Sequence, residues 1–242
     1  NKNVISDLLP RKNFIFRNLA REKKKKIIAS NIDYIFLIAS CSYPEYKRGL
    51  LHRYLLRARL WGIPLIVLFN KFDEYKEEHF EINQEIEHIE WLGCTTNTLS
   101  IFDKNKCDDL KKILENKTAI FLGQSGVGKS SLINVLSDNE FELKTKALAK
   151  VNKGSHTTTW AEIIDCKKFY IVDTPGIRSF SLEDITIHEL DEAFAEVSEL
   201  ALKCTFSNCN HAANAKGCAL NSVTDKHFVS LFESYQRFKE EI

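Results

Sequence analysis

The octapeptide Gly123-Gln124-Ser125-Gly126-Val127-Gly128-Lys129-Ser130 constrains this 242-residue chain more than any other stretch. It follows the apolar run Ala119 to Leu122 and opens a helical pattern from Lys129 to Leu136, so it turns the chain from a strand into a helix within a few residues. G-x-x-x-x-G-K-S in that setting is a phosphate-binding loop. Its glycines let backbone N–H groups wrap the α and β phosphates of a nucleotide, and Lys129 reaches the β and γ phosphates. Ser130 offers a hydroxyl to Mg²⁺, with Ser131 completing the phosphate side of the site. The helix N-terminus adds favourable potential for the anion.

Around this loop the pattern is that of an α/β fold. Apolar runs at Tyr34 to Ala39, Leu65 to Phe69, Ala119 to Leu122 and Phe169 to Val172 lack alternation, as strands buried on both faces of a mostly parallel sheet do. Helical patterns at Leu50 to Trp61, His79 to Leu92, Asp108 to Glu115 and Lys129 to Leu136 alternate with them. The sheet domain is placed at residues 30–180. From 181 to 242 the pattern changes to a helix at Asp184 to Leu202, a Cys/His cluster and a last helix from Thr224, with no strand evident. Residues 1–29 form a basic leading segment. No apolar run approaches the ~20 residues that span a bilayer, and the seven cysteines do not pair into a disulfide framework. A cytoplasmic protein without membrane attachment is expected. The formal charge is +1, so any nucleic-acid contact must come from local patches. With Asn1 at its start and no methionine, the chain reads as a piece of a longer protein.

A phosphate loop does not choose its base. Asn70-Lys71-Phe72-Asp73, immediately after the run Leu65 to Phe69, makes that choice. Asp73 can accept two hydrogen bonds from the ring N–H and exocyclic amine of guanine, a donor pair that adenine does not offer. Lys71 can lay its aliphatic stem on the base, and Asn70 can tie this loop to the phosphate loop. Paired with the phosphate loop, N-K-x-D specifies a GTPase.

Two further elements complete the set. Asp173-Thr174-Pro175-Gly176 ends the run Phe169 to Val172, where Asp173 can hold Mg²⁺ through water and the Gly176 N–H can meet the γ-phosphate. In Gly154-Ser155-His156-Thr157-Thr158-Thr159, one threonine is positioned to ligate Mg²⁺: Thr158, with Thr157 as the alternative. In Ras-like GTPases the N-K-x-D loop comes after these elements. Here it comes first, followed by Leu99-Ser100-Ile101 as a base-backing loop built around Ser100, and only then by the phosphate loop, the threonines and D-T-P-G. That order is a circular permutation.

Cys204-x4-Cys209-x1-His211-x6-Cys218 offers three thiolates and one imidazole within fifteen residues, the closed Cys₃His set of a structural Zn²⁺ site. With no open position for catalysis, the metal would staple a small helical domain with little core of its own. Cys41, Cys94, Cys107 and Cys166 read as core residues, as do Phe206 and Phe232.

The permuted order, Gly-Gln-Ser-Gly-Val-Gly-Lys-Ser-Ser, the His-Thr-Thr-Thr run and the Cys/His cluster together resemble the RsgA (YjeQ/YloQ) family of ribosome-dependent GTPases, from about Leu9 to the C-terminus. The resemblance implies a permuted GTPase domain followed by a helical zinc domain. It implies an N-terminal OB-fold of which at most the last strand, about residues 3–17, is present. It also implies GTP hydrolysis to GDP and phosphate during late maturation of the small ribosomal subunit, stimulated by docking on that subunit and its rRNA. Two departures stand out: six residues separate His211 from Cys218 where five are expected, and Lys216 replaces a proline before Gly217-Cys218.

Ile177 follows Gly176, where Ras-like enzymes place a water-orienting glutamine, and an isoleucine cannot orient water by hydrogen bonding. His156, which matches the family's switch histidine, is the candidate for that role. Lys23 to Lys26 with Arg11, Lys12, Arg17 and Arg21 read as a solvated linker face, with an rRNA phosphate contact as the functional alternative. A monomer is expected. The rival readings are a nucleotide-dependent rRNA-binding switch whose output is GTP occupancy, a P-loop ATPase or kinase with an accidental N-K-x-D, and a permuted GTPase acting on the large subunit.

Overall fold

The computed structural model describes residues 7–8, 10–19, 24–78, 80–138, 140, 162–173, 182–212 and 214–242. Strands β3 (Tyr34–Ser40), β4 (Leu65–Asn70), β5 (Thr95–Thr98), β6 (Thr118–Leu122), β7 (Glu162–Asp165) and β8 (Tyr170–Asp173) form one sheet in the order β5-β4-β3-β6-β8-β7. All neighbours are parallel except the edge pair β7 and β8. The apolar runs become the central strands because both of their faces are covered. Ile35, Leu37, Val67, Phe69, Ile120 and Leu122 belong to one core cluster, whereas Phe36, Ile38, Ile66, Leu68 and Phe121 belong to the other. Successive side chains on a strand point to opposite faces, so a run without alternation feeds both cores.

Helices α3 (Lys104–Leu114) and α4 (Lys129–Leu136) supply Cys107, Leu110, Leu114, Leu132, Ile133 and Leu136 to the second cluster. Helices α1 (Arg48–Trp61) and α2 (Ile82–Trp91) cover the first. α1 is itself overlaid by α5 (Ile187–Ala193) and α7 (Lys226–Glu241), with α6 (Ala195–Ala201) between them in the chain, and eight of its fourteen residues are buried. Leu190, Phe194, Val197, Leu231, Tyr235 and Phe238 lie in the same cluster as the sheet residues Leu37 and Val67. The C-terminal helices therefore share the core of the sheet rather than relying on a small core of their own.

Polar contacts follow the same seam. Arg57, 4% exposed, pairs with Asp184. Arg59 donates to the Ala193 carbonyl at 2.8 Å, the Leu92 carbonyl at 3.0 Å and Glu196 at 2.7 Å. A polar cleft of about 340 Å³ beside Arg57, Arg59, Asp184 and Glu192 lies between α1 and α5, away from the ends of the central strands.

Several elements differ from the sequence expectation. The expected helix Asp184 to Leu202 breaks at Phe194, whose φ of −111° and ψ of 61° are not helical. Phe194 is fully buried against Tyr235 and Phe238 of α7, so tertiary packing sets the break. The basic segment read as a linker contains strand β2 (Lys24–Ser30), which pairs antiparallel with β1 (Phe14–Leu19). This hairpin is seated through fully buried Ile15 and through Phe16, whose ring meets Trp61 of α1 at 6.5 Å. Phe232 is buried as expected, but Phe206 is 56% exposed and does not belong to the core. Cys41, Cys107 and Cys166 are buried, whereas Cys94 is half-buried. Among the described residues, no helix is long and apolar enough to cross a membrane.

Candidate functional site

The parallel strands end at one edge of the sheet, where open α/β folds place their ligands. Ser40, Asn70, Leu122 and Asp173 are the last residues of β3, β4, β6 and β8. The phosphate loop leaves β6 at that edge, with Gly123, Gly126 and Gly128 all at positive φ. At Gly128, φ is 93°, and a Cβ would lie 2.4 Å from the Asn70 amide nitrogen. That amide donates to the Val127 carbonyl at 2.9 Å, so the N-K-x-D loop and the phosphate loop are joined by one buried hydrogen bond. Val127 is buried, whereas Ser125, Ser130 and Ser131 are exposed toward the space above the loop. The Lys129 ammonium donates to the carbonyls of Gly123 at 2.7 Å and Gln124 at 2.6 Å, folded across the loop whose phosphates it is expected to meet.

After Asn70 the chain passes through Lys71 at φ 59° into a single 3-10 turn, Phe72–Glu74, which presents Asp73 to solvent. The Phe72 N–H donates to the Leu99 carbonyl at 3.0 Å, which sets the Leu99-Ser100-Ile101 loop beside this turn. The Ser100 hydroxyl, largely buried, accepts from the Phe102 N–H at 3.2 Å. Just past β3, burial and the Asp73 carboxylate push the Cys41 thiol up to about 12, so it stays protonated. The structure thus gathers Asn70, Lys71, Asp73, Ser100 and residues Gly123 to Ser131 at one edge, with Asp173 at the end of the neighbouring strand β8. His156, Thr157, Thr158 and Gly176 lie outside the described residues.

Sequence reasoning missed the loop that follows β3. Ser42 donates its hydroxyl to the Glu74 carboxylate, and the Lys71 ammonium donates to the Tyr43 carbonyl at 2.7 Å. These partners stand 32 and 28 residues apart in the chain, and no motif spacing joins them.

The second cluster is in the helical region. One ligand atom from each of Cys204, Cys209, His211 and Cys218 falls within 4.8 Å of the others. His211 Nδ1 lies 3.7 Å from Cys204 Sγ and 3.6 Å from Cys218 Sγ. Tetrahedral Zn²⁺ with ordinary Zn–N and Zn–S bond lengths requires about 3.6 Å between such atoms, so the donor set and its spacing fit zinc. Between Cys209 and Cys218 the backbone takes positive φ at His211 (59°) and Gly217 (69°). At Gly217 a Cβ would meet Thr205 Oγ1 at 2.6 Å, because Thr205 donates its N–H to the Gly217 carbonyl at 2.9 Å. The Ala219 N–H donates to Cys204 Sγ at 3.4 Å and lowers the Cys204 thiol pKa. Gln236 of α7 donates to the His211 carbonyl at 3.0 Å, anchoring the cluster to that helix.

Comparison with known proteins agrees with this arrangement. The family model described as RsgA GTPase matches residues 8–183. The small ribosomal subunit biogenesis GTPase RsgA of Flavobacterium psychrophilum is 35% identical over 245 residues, covering 98% of this chain and 74% of that protein. Its counterpart from Borrelia recurrentis is 32% identical over 241 residues, covering 100% and 76%. Among solved structures, YjeQ from Thermotoga maritima superposes with a TM-score of 0.67 at 25% identity, covering 97% of this chain and 78% of that one. YloQ, described as a circularly permuted GTPase, superposes with a TM-score of 0.66 at 23% identity, covering 98% and 75%.

Proposed function

The chain belongs to the RsgA GTPase family, and from that premise we propose that it hydrolyses GTP in the biogenesis of the small ribosomal subunit, with docking on the subunit raising its turnover. The observation that carries the reading is the Asn70–Val127 hydrogen bond, which makes the base-reading turn and the phosphate loop one cradle. In this reading Asp73 accepts from the guanine edge, the stem of Lys71 lies on the base, and Ser100 backs it. Residues Gly123 to Ser131 hold the phosphates. Ser130, Thr158 (or Thr157) and Asp173 would hold Mg²⁺, which when bound offsets the charge on the β and γ oxygens. Gly176 meets the γ-phosphate. His156 orients the attacking water, since Ile177 offers no hydrogen bond. His156→Ala should lower kcat by about tenfold or more while leaving GTP affinity nearly intact; stopped turnover and equilibrium binding measure the two separately.

Cys204, Cys209, His211 and Cys218 would hold a structural Zn²⁺. The helices on either side of them follow D-T-P-G in the chain and pack into the core of the sheet, so a change at Gly176 when the γ-phosphate leaves would pass along the chain to α5. We read this as a nucleotide-dependent grip on the subunit and its rRNA by a monomeric, cytoplasmic protein.

The competing reading, a switch whose output is GTP occupancy alone, separates by experiment. Co-sedimentation with small subunits in GTP, GDP and a non-hydrolysable analogue is compared with multiple-turnover phosphate release. Our reading expects tight binding with GTP or the analogue, release with GDP, and faster turnover on the subunit. Nucleotide-dependent binding without any gain in turnover favours the switch.

A further inference from the structure

The turn that carries Asp73 is held from outside its own motif. Lys71 occupies the left-handed region, which disfavours a residue with a side chain, and Phe72–Glu74 is a single exposed 3-10 turn. A three-residue turn with two internal backbone hydrogen bonds, Glu74 N–H to Lys71 carbonyl and Tyr75 N–H to Phe72 carbonyl, has little stability of its own. Yet guanine recognition needs the Asp73 carboxylate aimed so that both of its oxygens are used.

Besides the Phe72 N–H to Leu99 carbonyl bond, support comes from the segment after β3. Ser40 is 2% exposed, and its hydroxyl accepts from the Ser42 N–H at 3.1 Å and donates to the Tyr43 carbonyl at 3.2 Å, so one buried side chain fixes this loop. The fixed loop then makes two contacts with the base-reading turn. The Tyr43 carbonyl receives the Lys71 ammonium at 2.7 Å, and the Ser42 hydroxyl donates to the Glu74 carboxylate. The Cys41 N–H also donates to the Asn70 carbonyl at 2.9 Å, which aligns the two strand ends. Lys71 and Glu74 flank Asp73, and both are tethered to the same loop.

We propose that Ser42 and Glu74 are positioning residues for base recognition: their hydrogen bond clamps the turn that aims Asp73 at guanine, and so sets how strictly the site demands the exocyclic amine. This rests on the reading of Asn70 to Asp73 as the guanine-reading loop. Glu74 can only accept, and the Ser42 hydroxyl hydrogen has that carboxylate as its partner, so the bond is charge-assisted and directional. Losing it leaves the phosphate loop untouched but lets the turn rock about Lys71. A rocking turn weakens the two-point contact with guanine, and the bond to the amine is the part that a probe lacking the amine reads.

Inosine triphosphate lacks that amine and serves as the probe. The ratio of kcat/KM for GTP over inosine triphosphate should fall about fivefold in Ser42→Ala and in Glu74→Ala. The double variant should fall no further than either single one, because both remove the same bond. The loss should fall on KM. Ser42→Thr keeps the hydroxyl and Glu74→Gln keeps an acceptor oxygen, so both should restore most of the ratio, a rescue that a general loosening of the fold would not give. Both positions are at the surface or half-buried, and matching thermal midpoints will show that the variants fold. An unchanged ratio in both alanine variants overturns the clamp, as does a loss confined to kcat. Asp73→Asn is the control: a shift toward xanthosine triphosphate upholds the guanine reading independently of the clamp. If Asp73→Asn leaves base preference unchanged, the guanine reading fails and the clamp fails with it.

Discussion

Gly128 and Asn70 show how little room separates the two halves of the nucleotide site. With φ at 93° and a Cβ that would stand 2.4 Å from the Asn70 amide, Gly128→Ala must strain the backbone and displace the bond to Val127 together. GTP affinity, measured by titration calorimetry, should fall at least about tenfold; affinity equal to the parent protein would contradict the joined cradle. At this scale the motif glycines, Lys129 and the four cluster ligands are legible in the sequence because each chemistry dictates residue type at fixed spacing. Ser42 and Glu74 are not, because they meet only through the tertiary alignment of two strand ends. Phe206 misleads for a related reason: an aromatic residue inside a metal loop has no helix or strand to carry it into the core, and it remains 56% exposed.

Among the elements, the buried central strands are legible because parallel strands covered on both faces need continuous apolar runs. β5 (Thr-Thr-Asn-Thr), β7 and the lysine-rich β2 escape notice because they are edge strands or belong to a hairpin, where polar side chains are tolerated. A chain of histidines joining α1, α2 and α7 is likewise invisible in the sequence. Arg237 donates to the Ser234 hydroxyl at 2.9 Å, and that hydroxyl lies 2.7 Å from His52 Nδ1. His52 Nε2 lies 2.7 Å from His88 Nε2, and His88 Nδ1 lies 3.1 Å from His227 Nδ1. Each contact between two ring nitrogens holds one proton, so a further proton sets two donors face to face or turns His52 onto Ser234 beside the Arg237 guanidinium.

Burial, then neighbouring positive charge, lowers His52 and His88 to about 3. His52 faces Arg48, Arg59, His88 and Arg237, whereas His88 faces Arg48, Lys226, His227 and Asp225, and Glu85 pairs with Arg48. Because the folded values lie below the unfolded value of about 6.5, the unfolded chain binds more protons in between. Stability is therefore complete above that value and lost as pH falls from it toward 3. Between pH 7 and 5 the unfolding free energy should drop by roughly 2–4 kcal/mol, read from urea titrations. His52→Phe combined with His88→Leu should flatten that slope; a flat parent profile, or an unchanged slope in the pair, would contradict it.

For the whole molecule, permutation puts the N-K-x-D turn first and places the helical region, with the Cys/His cluster between α6 and α7, after D-T-P-G in the chain. The continuous core makes the consequence of metal loss specific. Phe228, Leu231, Tyr235 and Phe238 hold α7 in the same cluster as the sheet, whereas the described residues between 204 and 218 are mostly exposed or half-buried. Cys209→Ser should reduce bound zinc to well under one per chain. Hydrogen exchange should then rise across 204–218 while α7 stays protected, and simultaneous deprotection of α7 would contradict the shared core. Guanine reading through Asp73 and turnover on the small subunit stand or fall together in one assay. The most direct test is phosphate release from GTP and from ATP, each with and without purified small ribosomal subunits. The account predicts slow release from GTP alone, accelerated by the subunit, and none above background from ATP; release from ATP, or GTP turnover indifferent to the subunit, would contradict it.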